Sequence, residues 1–177
     1  MLPEPMVSRL DSAIRRLEAQ RACLDHAAGL IAGLDGIVLE LGLGNGRTFD
    51  HLRERLPGRA IYVVERQLAA HPDCIPASDC LILGDVRDEL AAARPRFAGR
   101  VALAHVDLAS GDEPSSDRLF AALPPLLAPL MRARGVVVSQ RQLFDPCWQS
   151  VGLPPGVPFG RYWIYRAATA PRPDTVR

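Results

Sequence analysis

A glycine-rich segment, Val38-Leu-Glu-Leu-Gly-Leu-Gly-Asn-Gly46, constrains this chain more than any other feature. A short apolar run from Gly36 to Leu41 leads into it, and a helix is predicted after it, from Thr48 to Leu56. Glycines at alternate positions let the backbone bend sharply between a strand and a helix, and they let a ligand approach closely. Amide N–H groups at the start of the next helix then face that ligand. The segment predicts a ligand-binding turn, with a tight turn that binds nothing as the alternative.

The rest of the chain alternates between strand-like and helix-like segments. Further strands are predicted at residues 60–65, 80–85, 100–107 and 135–139, helices at 88–93 and 115–134, and an edge strand at 161–166. Apolar strands interleaved with helices are typical of a parallel sheet covered on both faces. We therefore expect an α/β fold of three layers with a doubly wound, mostly parallel sheet. Residues 141–160, which are rich in proline, are predicted to form a loop, and the tail from Ala167 is predicted to fray.

An extra amphipathic helix is predicted over residues 5–33, before the first strand. Its apolar residues follow spacings of three and four, although Arg21 interrupts the series: Leu10, Ile14, Leu17, Leu24, Ala28 and Ile31. Such a face must be covered, either by the core of the same chain or by another subunit. A homo-oligomer formed through this helix is therefore one hypothesis.

The length of 177 residues fits a single domain, 1–177. We expect it to consist of the N-terminal helix at 5–33, a ligand-binding core at 36–140, and a loop, edge strand and tail at 141–177. This leaves no length for an inserted cap domain. A substrate pocket must then come from the N-terminal helix, the 141–160 loop or a neighbouring subunit.

Composition excludes several classes of function. All 21 basic residues are arginine, which rules out Schiff-base and pyridoxal-phosphate enzymes and the lysine of P-loop nucleotidases. A net charge of +1 gives no strong signal for nucleic acid or an anionic membrane. The four cysteines and the histidines lack metal-ligand spacing, so no metal is expected. Neither a membrane-spanning run nor a secretory signal is recognisable, so we expect a cytoplasmic location.

Acidic residues stand at the predicted strand ends. Glu65, Asp85 and Asp107 close the second, third and fourth strands, and Glu40 lies just before the glycine turn. Ligands of open parallel sheets bind beyond the carboxyl ends of the strands. Carboxylates gathered there repel one another unless they meet hydrogen-bond donors or a cation. A ligand with a ribose diol, an exocyclic amine, an ammonium and a sulfonium meets that demand. Each acid taken alone is equally compatible with a helix cap or a surface turn.

The segment from Glu40 to Gly46 resembles motif I of the class I S-adenosylmethionine-dependent methyltransferases, and the similarity extends over roughly residues 36–140. The resemblance implies a Rossmann-like fold, S-adenosyl-L-methionine as cofactor, S-adenosyl-L-homocysteine as product and a small-molecule acceptor. The family usually ends with a sixth strand and an antiparallel seventh, of which only the strand at 161–166 is clear here. The D/N-P-P-Y/F type motif of enzymes that methylate amino groups of DNA bases is absent, which disfavours those acceptors.

The resemblance also implies roles for single residues. Glu40 would face the amino group of the cofactor through water, Glu65 would take the ribose hydroxyls, and Arg66 would flank the adenine. Asp85 would accept from the exocyclic amine, and the Val86 N–H would meet the ring. The turn residues would line the methionine and ribose parts of the cofactor: Gly42, Leu43, Gly44, Asn45 and Gly46.

Asp107 matches the fourth-strand motif beside the methionine end of the cofactor and the acceptor. If the acceptor must lose a proton, Asp107 is the first candidate for the general base. His105, two residues earlier on the same strand face, is either a buried histidine or a weaker catalytic candidate. Gln140 and Arg141 follow the fifth strand and could contact the substrate.

Other functions stay open beside methyl transfer. A non-catalytic protein that binds S-adenosylmethionine, or that only oligomerises, would carry the same cofactor motifs. An NAD-dependent oxidoreductase would also use Glu65, but Gly46 comes one residue too early for G-x-G-x-x-G and no hydride-transfer pair is recognisable. Transfer of an aminopropyl group from decarboxylated cofactor is a further alternative. Methyl transfer is favoured, and there the protein mainly aligns the acceptor with the S–CH3 bond.

Overall fold

The computed structural model describes residues 8–108 and 113–168. A strand and a helix alternate over most of this length, and a short 3-10 helix lies at Pro72–Cys74. The elements in chain order are α1 (Arg9–Leu30), β1 (Ile37–Leu41), α2 (Arg47–Arg55), β2 (Ile61–Glu65), β3 (Leu81–Leu83), α3 (Val86–Phe97), β4 (Val101–Val106), α4 (Glu113–Leu127), β5 (Met131–Ser139), β6 (Trp148–Val151) and β7 (Trp163–Ala167).

Seven strands of the described residues form one sheet in the order β3-β2-β1-β4-β5-β7-β6. Strands β1 to β5 are parallel to one another, and β7 is antiparallel to both β5 and β6. The direction in which the chain adds strands reverses between β1 and β4, which makes this boundary the switch point of the sheet. The predicted doubly wound, mostly parallel sheet with an antiparallel C-terminal strand is confirmed.

Helices cover both faces of the sheet, because alternate strand residues point to opposite sides. On one face Val38 packs with Leu24 of α1 and Leu52 of α2. On the other face Leu39 packs with residues of α3 and α4, such as Leu90 and Leu123. The sheet thus separates two apolar clusters, and its central strands β1 and β4 are completely buried.

The C-terminal part differs from the prediction at three places. Residues 141–160 were expected to form a loop, but Trp148–Val151 forms β6, which takes the sheet edge outside β7. The helix expected to reach residue 134 ends at Leu127, because β5 already starts at Met131. Ala167, where fraying was expected to begin, is the last residue of β7, and residues 169–177 lie outside the described part.

The predicted apolar stripe of α1 is only partly covered. Leu24 is buried, but Leu10 is 70% exposed and Ile14 is 44% exposed. The buried face is made instead by smaller residues and one amide, namely Ala19, Gln20, Cys23 and Ala27. The N-terminal half of α1 therefore extends beyond the sheet that its C-terminal half covers. Residues 5–7 of the predicted helix lie outside the described part.

Two further observations concern the described residues as a whole. None of their helices combines the length and the apolar character that crossing a membrane requires. All four cysteines are free thiols. Burial raises the pKa of the Cys23 thiol to about 11, so this thiol stays protonated in the core.

Candidate active site

The three glycines of the turn after β1 all have positive φ values, but for different reasons. A Cβ on Gly42 would lie 2.3 Å from the carbonyl oxygen of Asp107, and one on Gly46 would lie 2.4 Å from the Cβ of Cys74. A Cβ on Gly44 would meet nothing within 4 Å. Two glycines are therefore needed for packing, whereas the middle one faces open space that a ligand can enter.

The turn is held by the carboxylate of Glu65, the last residue of β2. Its Oε2 accepts from the N–H groups of Leu43 (2.7 Å) and Gly44 (3.0 Å), and its Oε1 accepts from those of Arg66 (2.7 Å) and Gln67 (3.1 Å). Partial burial raises the pKa of Glu65, but the hydrogen bonds from these four N–H groups lower it by more. The pKa therefore lies below the ordinary value. Glu65 is thus an ionised carboxylate at the place where the ribose is expected, beside the exposed Arg66 and Asn45.

Asp85 and Val86 lie at the start of α3, on the β3 side of Glu65. Asp85 is the N-cap: its Oδ1 accepts from the Arg87 N–H and Nε, both at 3.0 Å. These bonds hold the pKa of Asp85 below its ordinary value. Val86 is the first helical residue, so its N–H lacks a partner within the helix. The structure therefore places a carboxylate next to an N–H group that has no partner within the helix.

Glu40, which is expected to face the amino group of the cofactor through water, lies within β1 next to the glycine turn. Its side chain is completely buried, one oxygen accepts from the Thr48 hydroxyl, and Oε2 lies 3.0 Å from Nδ1 of His105. These bonds place the Glu40 side chain on the sheet face that α1 and α2 cover.

His105 and Asp107 lie on this same face of the sheet. Burial lowers the pKa of His105, but the charge and hydrogen bond of Glu40 and the charge of Asp107 raise it more, so the imidazolium is favoured. His105 Nε2 has no partner among the described residues. Asp107 is half-buried, and its Oδ2 accepts from Nε2 of Gln20 at 2.6 Å. The structure therefore brings both predicted catalytic residues to the end of β4.

Gln20 and Tyr162 were missed by the sequence reasoning. Gln20 is only 3% exposed, and its position four residues before Leu24 on the buried face of α1 was the available signal. Tyr162 precedes β7 and is 2% exposed, and its hydroxyl has no partner among the described residues. Burial raises the pKa of Tyr162 most, and the charge of Asp107 raises it further. No sequence pattern marked Tyr162.

Two cavities open at this end of the molecule. One, of about 320 Å³, lies between α1 and α2, where Gln20, Thr48 and His51 line it. The other, of about 660 Å³, lies between α4, the segment after β5 and the start of β7. Within residues 8–108 and 113–168, no group of three or more His, Cys, Asp or Glu side chains is placed to hold a metal ion.

Comparison with known proteins identifies the class of protein that this fold and site belong to. A family model described as S-adenosyl-L-methionine methyltransferase matches residues 7–167. The crystal structure of an S-adenosyl-L-methionine methyl transferase from Silicibacter pomeroyi DSS-3 is 45% identical in sequence, with a TM-score of 0.86 over 92% of this chain and 99% of that one. None of the curated proteins compared with the chain matches it.

More distant structures share the fold. Human methyltransferase-like protein 13, solved in complex with SAH, is 14% identical with a TM-score of 0.55, over 90% of this chain and 83% of that one. The antibiotic-resistance methyltransferase Kmr is 13% identical with a TM-score of 0.51, over 93% and 94%. The chain belongs to the S-adenosyl-L-methionine methyltransferase family, and its cofactor is S-adenosyl-L-methionine.

The residues of the turn fit this cofactor. Gly44 leaves space for close approach, and Glu65 and Asp85 are ionised acceptors at the ends of neighbouring strands. A ribose diol and an exocyclic amine are donors that such carboxylates bind. When bound, the cofactor supplies a methyl group already activated on a sulfonium.

Substitution of the glycines separates packing from ligand approach. Gly42→Ala is expected to lower the free energy of unfolding by about 2 kcal/mol or more, because backbone strain adds to the clash with Asp107. Gly44→Ala is expected to cost about 1–2 kcal/mol of strain while weakening S-adenosylhomocysteine binding at least tenfold. Urea denaturation and isothermal titration calorimetry measure the two effects. Equal stability losses in both variants, with unchanged affinity for Gly44→Ala, would contradict the assignment.

The pKa of Glu65 predicts a dependence of stability on pH. Because the folded-state pKa is depressed, the stabilisation by Glu65 is present above the ordinary value of 4.5 and is lost as pH falls through the folded-state pKa. The Tm of the native chain should exceed that of Glu65→Gln near neutral pH, and the difference should shrink below about pH 4. Differential scanning calorimetry of both proteins tests this. A difference that stays constant down to pH 3 would show that the four N–H bonds do not depend on the charge.

Proposed function

We propose that this chain moves the sulfonium methyl of S-adenosylmethionine to a small-molecule acceptor, chiefly by positioning the two. The main support for this proposal is the open space at Gly44, which lies beside the fixed carboxylate of Glu65 at the switch point of the sheet. In-line alignment of an acceptor with an activated methyl can lower the barrier by up to about 7–11 kcal/mol in ideal cases.

The proposed cofactor contacts follow from the geometry of the strand ends. Residues 42–46 line the methionine and ribose parts, and Glu65 takes the ribose hydroxyls by exchanging its bonds to Leu43 and Gly44. Asp85 and the Val86 N–H hold the adenine, with Arg66 at its side. Glu40 is assigned a different role from the one expected: it orients His105 and Thr48 from within the core.

Asp107 is the proposed general base where the acceptor must lose a proton. The acceptor atom forms a bond to the methyl carbon while the sulfur keeps the electron pair of the breaking S–C bond. The acceptor proton passes to an Asp107 oxygen and then to solvent. Nε2 of Gln20 donates to Oδ2 of Asp107, and this hydrogen bond fixes the direction of the carboxylate. His105 is completely buried, so it is proposed as a positioning residue that acts through Glu40 and Asp107.

The chain forms one methyltransferase domain, since one sheet joins all the described strands. The protein acts in the cytoplasm, which the four free thiols support because thiols persist in a reducing compartment.

A panel of ligands tests the proposed function. S-adenosylmethionine and S-adenosylhomocysteine should raise the Tm, as ligands that bind the folded state do. Decarboxylated cofactor, which keeps the ribose and adenine, should raise it less, and NADH should not raise it. Asp85→Ala and Glu65→Ala should each weaken S-adenosylhomocysteine binding at least tenfold, while Asp88→Ala, exposed in the first turn of the same helix α3, should not. Stabilisation by NADH alone, or unchanged affinity in both site variants, would contradict the proposal. Binding of the cofactor without methyl transfer to any acceptor would favour the non-catalytic alternative.

The exposed N-terminal half of α1 supports the hypothesis of a homo-oligomer. Leu10 and Ile14 lie one turn apart and expose apolar surface. Size-exclusion chromatography with light scattering should show a dimer or larger species for the native chain and a monomer for Leu10→Glu/Ile14→Glu. A matched Glu18→Gln variant, at an exposed polar position of α1, should behave like the native chain. A native chain that is monomeric at micromolar concentration would refute the hypothesis.

A further inference from the structure

The smaller cavity lies on the same face of the sheet as the proposed base. It has a volume of about 320 Å³, at the lower end of the range of small-molecule sites, and α1 and α2 form its walls. Gln20 of α1 and Thr48 of α2 line it, and their side chains donate to Asp107 and Glu40. None of the residues from 42 to 46 lines it, so the cavity is distinct from the open space at Gly44.

The wall of this cavity reaches Asp107 through a single side chain. Nε2 of Gln20 donates to Oδ2 of Asp107 at 2.6 Å, so a ligand group that contacts the Gln20 amide lies one amide away from the proposed base. Arg47 also lines the cavity, and it follows directly on Gly46, the last glycine of the turn. The cavity therefore adjoins both the proposed base and the turn that is proposed to hold the methionine part of the cofactor.

One side of the cavity is apolar. Ile14, Leu17 and Leu24 line it from α1, and their spacings of three and seven residues place them along one stripe of that helix. Leu24 is buried, Leu17 is half-buried and Ile14 is 44% exposed, so the stripe runs from the core to the mouth of the cavity. Such a stripe can cover the hydrocarbon part of a ligand.

The charged groups of the lining leave an excess of positive charge. Arg21 and Arg47 are both exposed, and in the part of the chain that the structure describes neither guanidinium takes part in an ion pair or a hydrogen bond. Glu18 contributes one carboxylate to the same lining. Two guanidiniums thus stand against one carboxylate, and guanidiniums bind carboxylate ligands by strong charge-assisted hydrogen bonds.

The remaining polar residue of the lining is already engaged. Nε2 of His51 lies 2.9 Å from Oδ1 of Asp25, and the same oxygen lies 2.9 Å from Nε of Arg55. The charge of Asp25 is therefore met by Arg55, and it does not neutralise the two arginines of the cavity.

We propose that this cavity binds the methyl acceptor, and that the acceptor is a small organic acid with an apolar body. The proposal rests on the proposed function. The carboxylate of the acceptor pairs with Arg21 and Arg47, its body lies along the apolar stripe of α1, and a hydroxyl or amine at its other end reaches Gln20 and Asp107. The oxygen or nitrogen forms the bond to the methyl carbon, the sulfur keeps the S–C electron pair, and the released proton goes to Asp107.

The test compares acids with their own amides as acceptors for the full chain and S-adenosylmethionine, measuring formation of S-adenosylhomocysteine. The acids are 4-hydroxybenzoate, 4-hydroxyphenylacetate and 5-aminopentanoate, each beside its primary amide, and tyramine is the cationic probe. We expect turnover with at least one acid and at least tenfold less with its amide, because the amide lacks the charge-assisted bonds. Turnover confined to amides or tyramine, or none with any acid, overturns the proposal.

Arginines on one helix provide matched variants. Arg21→Gln and Arg47→Gln should each raise KM for the acid on the order of tenfold with little change in kcat, and should leave the affinity for its amide, measured by competition, unchanged. Arg15→Gln, exposed on α1 and outside the cavity, should leave KM and kcat unchanged. Ile14 is left intact because it also belongs to the proposed oligomer surface. Equal effects on acid and amide, or no effect of either site variant, contradict the acidic acceptor.

The α-carboxylate of the cofactor is a second anion of the same chemistry. S-adenosylhomocysteine carries this carboxylate and methylthioadenosine lacks it, so calorimetry with both ligands distinguishes the two sources. We expect Arg21→Gln and Arg47→Gln to leave the affinity for both ligands unchanged. Weaker binding of S-adenosylhomocysteine alone would assign the arginines to the cofactor and overturn the proposal.

The same calorimetry on the native chain separates this inference from the proposed function. No binding of S-adenosylhomocysteine would refute the proposed function. Binding without turnover of any acid would refute the acidic acceptor alone.

Discussion

A buried ion pair at the centre of the sheet fixes most of what lies around it. Glu40 and His105 are cross-strand partners on β1 and β4, both completely buried, and Thr48 of α2 donates to the remaining oxygen of Glu40. Removing one member of such a pair is strongly destabilising, by about 3–5 kcal/mol, because an uncompensated charge is left inside. Strands β1 and β4 and helix α2 are therefore held in one arrangement.

The same pair defines the crevice of the switch point. The glycine turn begins two residues after Glu40, and Asp107 lies two residues after His105. Gly42 packs directly against the Asp107 backbone, so the cofactor turn and the proposed base are in contact through it. The buried pair thus holds the glycine turn and Asp107 at a fixed separation.

The sequence was most informative where local chemistry allows few alternatives. Alternate glycines before a helix and acids after apolar runs predicted the turn after β1 and the positions of Glu65, Asp85 and Asp107. The sequence was least informative where contacts between residues distant along the chain determine the structure. The four residues of the edge strand β6 do not alternate between buried and exposed positions, and β6 is held in the sheet by its pairing with β7. The periodicity of α1 predicted the helix and its apolar residues but not which turns the sheet covers, and Leu10 and Ile14 lie outside the covered part. Tyr162 and the inward direction of Glu40 depend on the same tertiary contacts.

The order of the last strands has a consequence for how the chain is completed. Within the sheet, β6 pairs with β7 and not with β5, although β6 comes first in the chain. During synthesis from the N-terminus, β1 to β5 can assemble as their residues emerge, but β6 then has no neighbouring strand. The chain must be made as far as Ala167 before β7 can fill the place between them. Until then the unpaired edge of β5 can pair with strands of other chains. The addition of β7 covers this edge and so also protects the protein against aggregation.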